Sequence, residues 1–389
     1  MTGKKTPPFR VLYVIQVFYP SQAGGPANSV YWATKHIDKG RVFPVIVSGD
    51  KGLDVSVERN RWRSTEAGRI IYVHNRVERM SIRQALVAFR ELPGVDAINL
   101  SSLFYPPSLF IGIVGRLLGK KILWTAHGEL DKPALKLSGR RKKKAAVKFL
   151  RWFFGQRVLY HSTSDLETEN IRAALGQNVR IIEIPNYMEI PPPVNEPKGD
   201  YILYIGRLHE KKGLEKLLKA LVSSDKFHSS GLMLKIAGVG QPIFENKLRS
   251  LVSLLGLENR VNFLGEVVGD EKQKLLGSAR FTIVPSECEN FGIVVPESLA
   301  QGTPVIASTG TPWASVADEK VGLWVDNSPE SLAAAIDRML SLDENEYIKY
   351  CSRARSFVEA RFAIEDHIGE WHDAYDLLLN RQGGRIPMK

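Results

Sequence analysis

"FTIVPSECENFGIVVPESLAQGTPVIAS", residues 281–308, runs strand, loop, helix and strand within one short stretch. "FTIVPS" is an apolar β-prone run and "ECENF" a polar loop. The helix is expected from about Gly292 to Ala300, with Gly302 just past its end as a stop and Pro296 in its first turns, where a missing donor costs little. "TPVIAS" then supplies a second strand. Strands joined through a helix lie parallel, and this stretch therefore points to an α/β fold.

The same alternation extends in both directions. "YILYIGRL", "LMLKIAG", "VNFLG" and "GLWVD" are strands of the same half. "RVLYVIQVF", "FPVIVSG", "RIIYVH", "DAINLSS", "KILWTAHG", "LYHSTS" and "IIEIPNY" form an equivalent series earlier in the chain. Between the series lies "PNYMEIPPPVNEPKGD", residues 185–200, too rich in Pro and polar residues to belong to either core, which reads as a linker. Two domains are expected, 1–190 and 191–361, with a helical C-terminal segment of about 362–389 that has no strand of its own to cover and can cross back to the first. At 389 residues, 44% hydrophobic and 24% charged, the chain is long enough for two cores.

Glu289 and Glu297 stand eight positions apart around Phe291 and Gly292. The first hangs in the loop above the helix N-terminus and the second projects from the helix about a turn further on. An ionised carboxylate accepts from both hydroxyls of a diol, and sugars are what such a pair binds well. Free amides at Gly292, Ile293 and Val294 would face an anionic centre between them. A helix cap plus a surface carboxylate is the plainer alternative. In "YIGRLHEKKGLEKLLKAL", Arg207 follows a strand at its carboxyl end and Lys212 precedes a helix, a pairing of planar fork and mobile charge that suits a diphosphate. Solvated charge is the alternative there, and it is how Lys211, Lys216 and Lys219 read. Gly24 and Gly25 lie between the first strand and a helix, where backbone can approach a phosphate or merely turn.

Taken together, "GRLHEKKG", the glutamate pair with its Phe-Gly, and "AHGEL" resemble the retaining glycosyltransferases of family four, also called glycosyl transferases group 1, over essentially the whole chain. The resemblance implies a GT-B fold, two Rossmann-like parallel-sheet domains facing a central cleft that closes on the substrates. It implies that Glu297 holds the ribose of a nucleotide-sugar and Glu289 the transferred sugar. Arg207 and Lys212 would neutralise the diphosphate, helped by Gly24, Gly25, Phe291, Gly292, Ile293 and Val294. The turns at Gly240 and Val267 match the family's nucleobase seat, and His127 its active-site histidine beside the donor sugar. Glu129 and Asp131 follow as candidate acceptor contacts. The donor would be UDP- or GDP-linked, the acceptor a glycan or lipid-linked glycan, and the setting bacterial cell-surface polysaccharide or lipopolysaccharide assembly.

Neither metal nor cofactor is expected: the chain has no Asp-x-Asp pair and its eight histidines are scattered. With no evident covalent nucleophile, the resemblance favours front-face transfer in which the leaving phosphate takes the acceptor's proton. Two cysteines, Cys288 and Cys351, suit a reducing compartment, and the N-terminal "KKTPPFRVLYVIQVFYP" reads as a strand rather than a signal peptide. The longest apolar stretch, near Ser108 to Gly119, is broken by Arg116 and falls short of the roughly 20 residues of a membrane span. A cytoplasmic protein is expected.

The net charge of +11 is concentrated: residues 132–164 hold ten Lys or Arg and no Asp or Glu. In 132–157 these cations accompany Val147, Phe149, Leu150, Trp152, Phe153 and Phe154, which suits the inner face of an anionic plasma membrane, while covering the sheet is the competing use of the apolar residues. Nucleic-acid binding is the rival suggested by the charge, but no recognition motif accompanies it. A nucleotide-sugar epimerase of the same fold is the second rival.

Overall fold

The computed structural model describes residues 7–21, 25–75, 81–131, 135 and 140–379, and the chain divides into two compact units, 1–189 with 364–389 and 190–363.

Unit 1 contains β1 (Phe9–Ile15), α1 (Gly25–His36), β2 (Val42–Gly49), β3 (Trp62–Thr65), β4 (Gly68–Val73), α2 (Ile82–Glu91), β5 (Ala97–Ser101), α3 (Pro106–Leu117), β6 (Lys121–Thr125), α4 (Arg140–Phe153), β7 (Leu159–Ser162), α5 (Asp165–Leu175) and β8 (Arg180–Glu183). The sheet order is β3-β4-β2-β1-β5-β6-β7-β8, parallel except for β3 against β4. β3, "WRST", was absent from the sequence reading because its exposed polar residues give no apolar run. Leu12, Val45, Ile98, Trp124 and Phe154 anchor the core, each large aliphatic contributing about 1.5–3 kcal/mol by leaving water. α3 lies close on the sheet because Gly112 and Gly115 face it; a Cβ at Gly115 would fall 2.2 Å from Cδ1 of Ile98.

Unit 2 contains β9 (Tyr201–Ile205), α6 (Leu214–Ser223), α7 (Asp225–Ser230), β10 (Met233–Ala237), α8 (Pro242–Leu254), β11 (Val261–Gly265), α9 (Gly269–Gly277), β12 (Thr282–Val284), α10 (Val294–Ala300), β13 (Val305–Ser308), α11 (Ser315–Asp318), β14 (Gly322–Val325), α12 (Pro329–Leu340) and α13 (Glu344–Phe362). Its sheet, β11-β10-β9-β12-β13-β14, is parallel at every pairing and has the order 3-2-1-4-5-6 of a Rossmann domain. The order reverses between β9 and β12, which makes their carboxyl ends the expected ligand side.

α14 (Ile364–Leu378) belongs to unit 1. Its Tyr375 hydroxyl meets Tyr13 Oη at 2.5 Å and accepts from Asn99 Nδ2 at 2.8 Å, residues that stand side by side in the β1–β5 register. The linker reading needs correction at its start. Tyr187 and Met188 are buried in unit 1, with Tyr187 stacked on His367 at 4.5 Å and Met188 O accepting from Ile364 N at 3.0 Å. Two apolar side chains suffice to hold these residues, and the crossing falls after Glu189.

Candidate active site

In unit 2 the polar groups gather where the β9 and β12 strands end. Gly206 and Arg207 follow β9, and Arg207 is exposed, with no ion pair among the described residues. A short 3-10 turn, Glu210–Lys212, brings Lys212 back over the strand ends, and Lys212 Nζ donates to Glu289 Oε2. Ser286, fully buried, donates to the same oxygen at 3.2 Å. Backbone bonds brace the loop on both sides: Glu287 N to Lys211 O at 2.7 Å and Glu289 N to Gly310 O at 2.8 Å. Gly213 permits this closeness, since at its φ of +70° a Cβ would sit 1.9 Å from Pro285 O. Tyr204 lies beside both Glu289 and Arg207; burial pushes its phenol well above the ordinary range and the Glu289 charge adds to the effect.

Glu297 sits on α10 at 4% exposure. Its Oε1 accepts from Lys272 Nζ, on α9, at 2.6 Å, and its Oε2 is buried without a hydrogen-bond partner among the described residues. A buried carboxylate oxygen left unpaired costs about 1–3 kcal/mol or more, so this atom marks a place where a donor is missing. α10 begins at Val294, not at Gly292 as the sequence suggested. Gly292 takes a φ of +76°, which places it in the loop, and a Cβ there would crowd Glu289 Cγ at 3.0 Å. Phe291 is buried against Trp313, ring centroids 5.1 Å apart, with Trp313 Nε1 donating to Phe291 O, while Ile293 and Val294 are half-buried. Gly240 lies against the Leu208 backbone, and Val267 packs half-buried against the cluster of Tyr201, Leu203, Ala237, Leu276 and Ala279.

His127 belongs to unit 1. It follows β6 with a φ of +51°, and its Nε2 lies 3.2 Å from Ser101 Oγ at the end of β5. Burial, with His161 nearby, pushes its pKa down to about 3, so the imidazole is neutral at pH 7. A cavity beside it is lined by Tyr13, Asn99, Thr125, His161, Tyr187 and Trp371, among others. His161 donates through Nε2 to Ile184 O at 2.8 Å, leaving Nδ1 to accept from Thr125 Oγ1 at 3.0 Å; burial lowers its pKa to about 4. Glu129 is consumed internally, bonded to Ser102 Oγ at 2.5 Å and to the amides of Leu103 and Phe104, and Asp131 accepts from Asn170 Nδ2 at 2.8 Å. Both carboxylates thus serve as anchors of their loops. Gly25 opens α1, whereas Gly24 lies outside the described residues, as do Lys132, Lys136 and the C-terminal tail.

Arg207, Lys212, Glu289, Gly292 and Glu297 therefore share one side of the unit 2 sheet, and His127 and Gly25 occupy strand ends of unit 1. Sequence reasoning missed Lys272 and Glu167. Glu167 accepts from Gly128 N at 2.7 Å and from the amide and hydroxyl of Thr163, fixing the turn after His127. Neither carries a local motif; each is identified only by what packs against it. Among the described residues no group of three or more His, Cys, Asp or Glu is placed to hold a metal ion.

Residues 188–356 match the family model described as glycosyl transferases group 1. An uncharacterized glycosyltransferase of Methanocaldococcus jannaschii is 35% identical over 185 residues, 47% of this chain and 46% of its own length. The chain spans about half or less of the length of the curated relatives it matches. Among solved structures, sucrose-phosphate synthase from Thermosynechococcus elongatus superposes with a TM-score of 0.77 at 20% identity, over 96% of this chain and 99% of the other. HepE of Anabaena, in complex with UDP-glucose, gives 0.69 at 17% identity, over 94% and 99%. These likenesses establish the fold, two α/β domains of the GT-B type.

Proposed function

We propose that this chain, whose residues 188–356 match the model of the glycosyl transferases group 1, is a retaining glycosyltransferase moving a sugar from a nucleotide-diphosphate sugar to a glycan or lipid-linked acceptor. The observation that carries the proposal is Glu297 Oε2: a buried carboxylate oxygen with no partner among the described residues, on the ligand side of a Rossmann-type sheet, where a ribose hydroxyl supplies the missing hydrogen bond. Arg207 and Lys212 then neutralise the diphosphate, and Glu289, already receiving Lys212 and Ser286, accepts from hydroxyls of the transferred sugar. The amides of Phe291 to Val294 line the anionic middle, and the turns at Gly240 and Val267 seat the base. UDP is the first choice of nucleotide, since HepE, which shares the fold, is solved with UDP-glucose.

In the transfer we envisage, the bond from the anomeric carbon to the diphosphate oxygen breaks with its electron pair going to the nucleotide. The acceptor oxygen bonds to the same face, and its proton passes to the leaving phosphate. Arg207 and Lys212 carry the charge that develops, without need of a metal, and the protein's part is positioning and electrostatic stabilisation. His127 is neutral at pH 7 and is not an acid catalyst. The setting we favour is bacterial cell-surface polysaccharide or lipopolysaccharide assembly in the cytoplasm, on the resemblance of "TAHGELDKPALKLSGRRKKK" to chains acting there.

Thermal unfolding of the wild type and of Glu297→Ala with UDP, GDP or ADP, in EDTA, tests the donor site. One nucleotide should raise the wild-type melting temperature by several degrees through mass action and leave the variant's unmoved. An absent shift with all three, or an equal shift in the variant, sinks the assignment. Conversion of the donor sugar without any acceptor would instead mark an epimerase.

A further inference from the structure

α2 is inside out. Its buried face carries Gln84, which is fully enclosed and donates to Ile15 O at 2.8 Å and Val47 O at 3.1 Å, together with Ala88. Its solvent face carries Ile82, Leu86 and Phe89 at helical spacing, 60%, 50% and 45% exposed. α3 is apolar on both sides: Ile111, Gly112 and Gly115 meet the sheet while Phe110 and Leu117 point away from it, Leu117 at 73%. A surface helix ordinarily turns polar residues outward, so two neighbouring helices that do the reverse indicate a covered face.

The face is continuous. Phe89 and Phe110 bring α2 and α3 together with ring centroids 6.3 Å apart, and Arg116 of α3 lies 3.9 Å over the Phe153 ring of α4. α4 adds Trp152, 75% exposed. Around the apolar centre stand exposed cations: Arg83, Arg90, Lys142, Lys144 and Lys148, none in an ion pair among the described residues. α3 and α4 contain no Asp or Glu, and Glu91 of α2 is occupied by Arg69 at 3.1 Å.

We propose that the outward face of α2, α3 and α4 docks on an anionic lipid bilayer. Apolar side chains enter the boundary between headgroups and acyl chains, and the cations meet lipid phosphates around them. An excess of one charge sign surrounding exposed Trp, Phe and Leu fits a lipid surface better than a folded partner, which would need a carboxylate for each cation at the rim. No helix among the described residues is long and apolar enough to cross a membrane, so the contact is peripheral. The docking face uses described residues alone, and it stands or falls independently of the donor site.

The test is sedimentation of the full chain with vesicles of phosphatidylcholine alone and of phosphatidylcholine mixed with phosphatidylglycerol, at low and at high salt. The chain should pellet with the mixed vesicles only, less so as salt rises. Phe89→Ser combined with Leu117→Ser should lower vesicle affinity by about tenfold or more, and Lys142→Glu combined with Lys144→Glu should remove the preference for anionic lipid. All four positions are solvent-exposed, and unchanged melting temperatures will separate lost docking from lost folding. Absence of pelleting with mixed vesicles, or binding indifferent to Phe89 and Leu117, overturns the proposal. So does a dimer in solution that the same apolar substitutions dissociate, since the face would then be covered by a second copy.

Discussion

Glu297 lies almost out of reach of water, and Lys272 is what makes that tolerable: one carboxylate oxygen at 2.6 Å from Lys272 Nζ, the other waiting for a donor. Removing either partner strands the other, so Glu297→Ala and Lys272→Ala should each cost about 2–3 kcal/mol in urea unfolding while leaving the fold intact, and the double variant should cost less than their sum. Additive losses would mean that the pair does not couple. A second expectation concerns acid stability in unit 1. His161 and His127 are neutral in the fold, with pKa values pushed down to about 4 and about 3 by burial, against about 6.5 unfolded. Below pH 6.5 the unfolded chain binds more protons at these sites, so their contribution is lost as pH falls towards 4. Glu167 has the opposite sign: pushed up to about 7 by burial, it keeps a proton that the unfolded chain loses above about 4.5, and its contribution is lost as pH rises through that window. Comparing His161→Gln with wild type isolates one site, and the variant's acid slope should be flatter by up to about 1.4 kcal/mol per pH unit between 6.5 and 4. Parallel slopes would show that His161 titrates normally. Glu289, Glu297, Arg207 and Lys212 were legible in the sequence because each sits in a short local pattern. Lys272 was not, because it reaches Glu297 from 25 residues away and only the seating of α9 against α10 brings them together.

At the scale of the element, the loops that carry Lys212 and Glu289 owe their shape to one glycine. Gly213 has a left-handed φ and no room for a Cβ beside Pro285 O, so the turn carrying Lys212 and the loop carrying Glu289 are pressed together by backbone. Gly213→Ala should lower stability by about 2–4 kcal/mol and also weaken the nucleotide-induced rise in melting temperature, because the shifted turn withdraws Lys212. Gly94→Ala, where a Cβ would meet nothing within 4 Å, is the matching control and should change neither. A Gly213→Ala protein with full nucleotide response would uncouple the turn from the site. Strands buried on both faces were legible as apolar runs, which is why the parallel pairings could be anticipated from "FTIVPS" or "KILWT" alone. Periodicity also reveals that α2 is amphipathic, but not which way it faces. Gln84 is the residue that settles it, and its two carbonyl partners lie in β1 and β2, far away in sequence.

For the whole molecule, the chain leaves unit 1 after Glu189, builds unit 2, and returns at Ile364 to finish the unit it started. The sequence displays α14 as a helix with no strand to cover, yet its seat depends on a hydroxyl meeting 362 residues apart, between Tyr375 and Tyr13, which no local pattern encodes. Tyr375→Phe keeps the ring in the core and deletes only that oxygen, leaving Tyr13 Oη and Asn99 Nδ2 buried without it. The loss should be about 1–3 kcal/mol, read as a lower melting temperature of the free protein. Because Arg207, Lys212, Glu289 and Glu297 all belong to unit 2, the increment that a bound nucleotide adds to that melting temperature should survive. A Tyr375→Phe protein that melts early and has also lost its nucleotide response would show that binding draws on unit 1 as well as on the sheet that carries the glutamates.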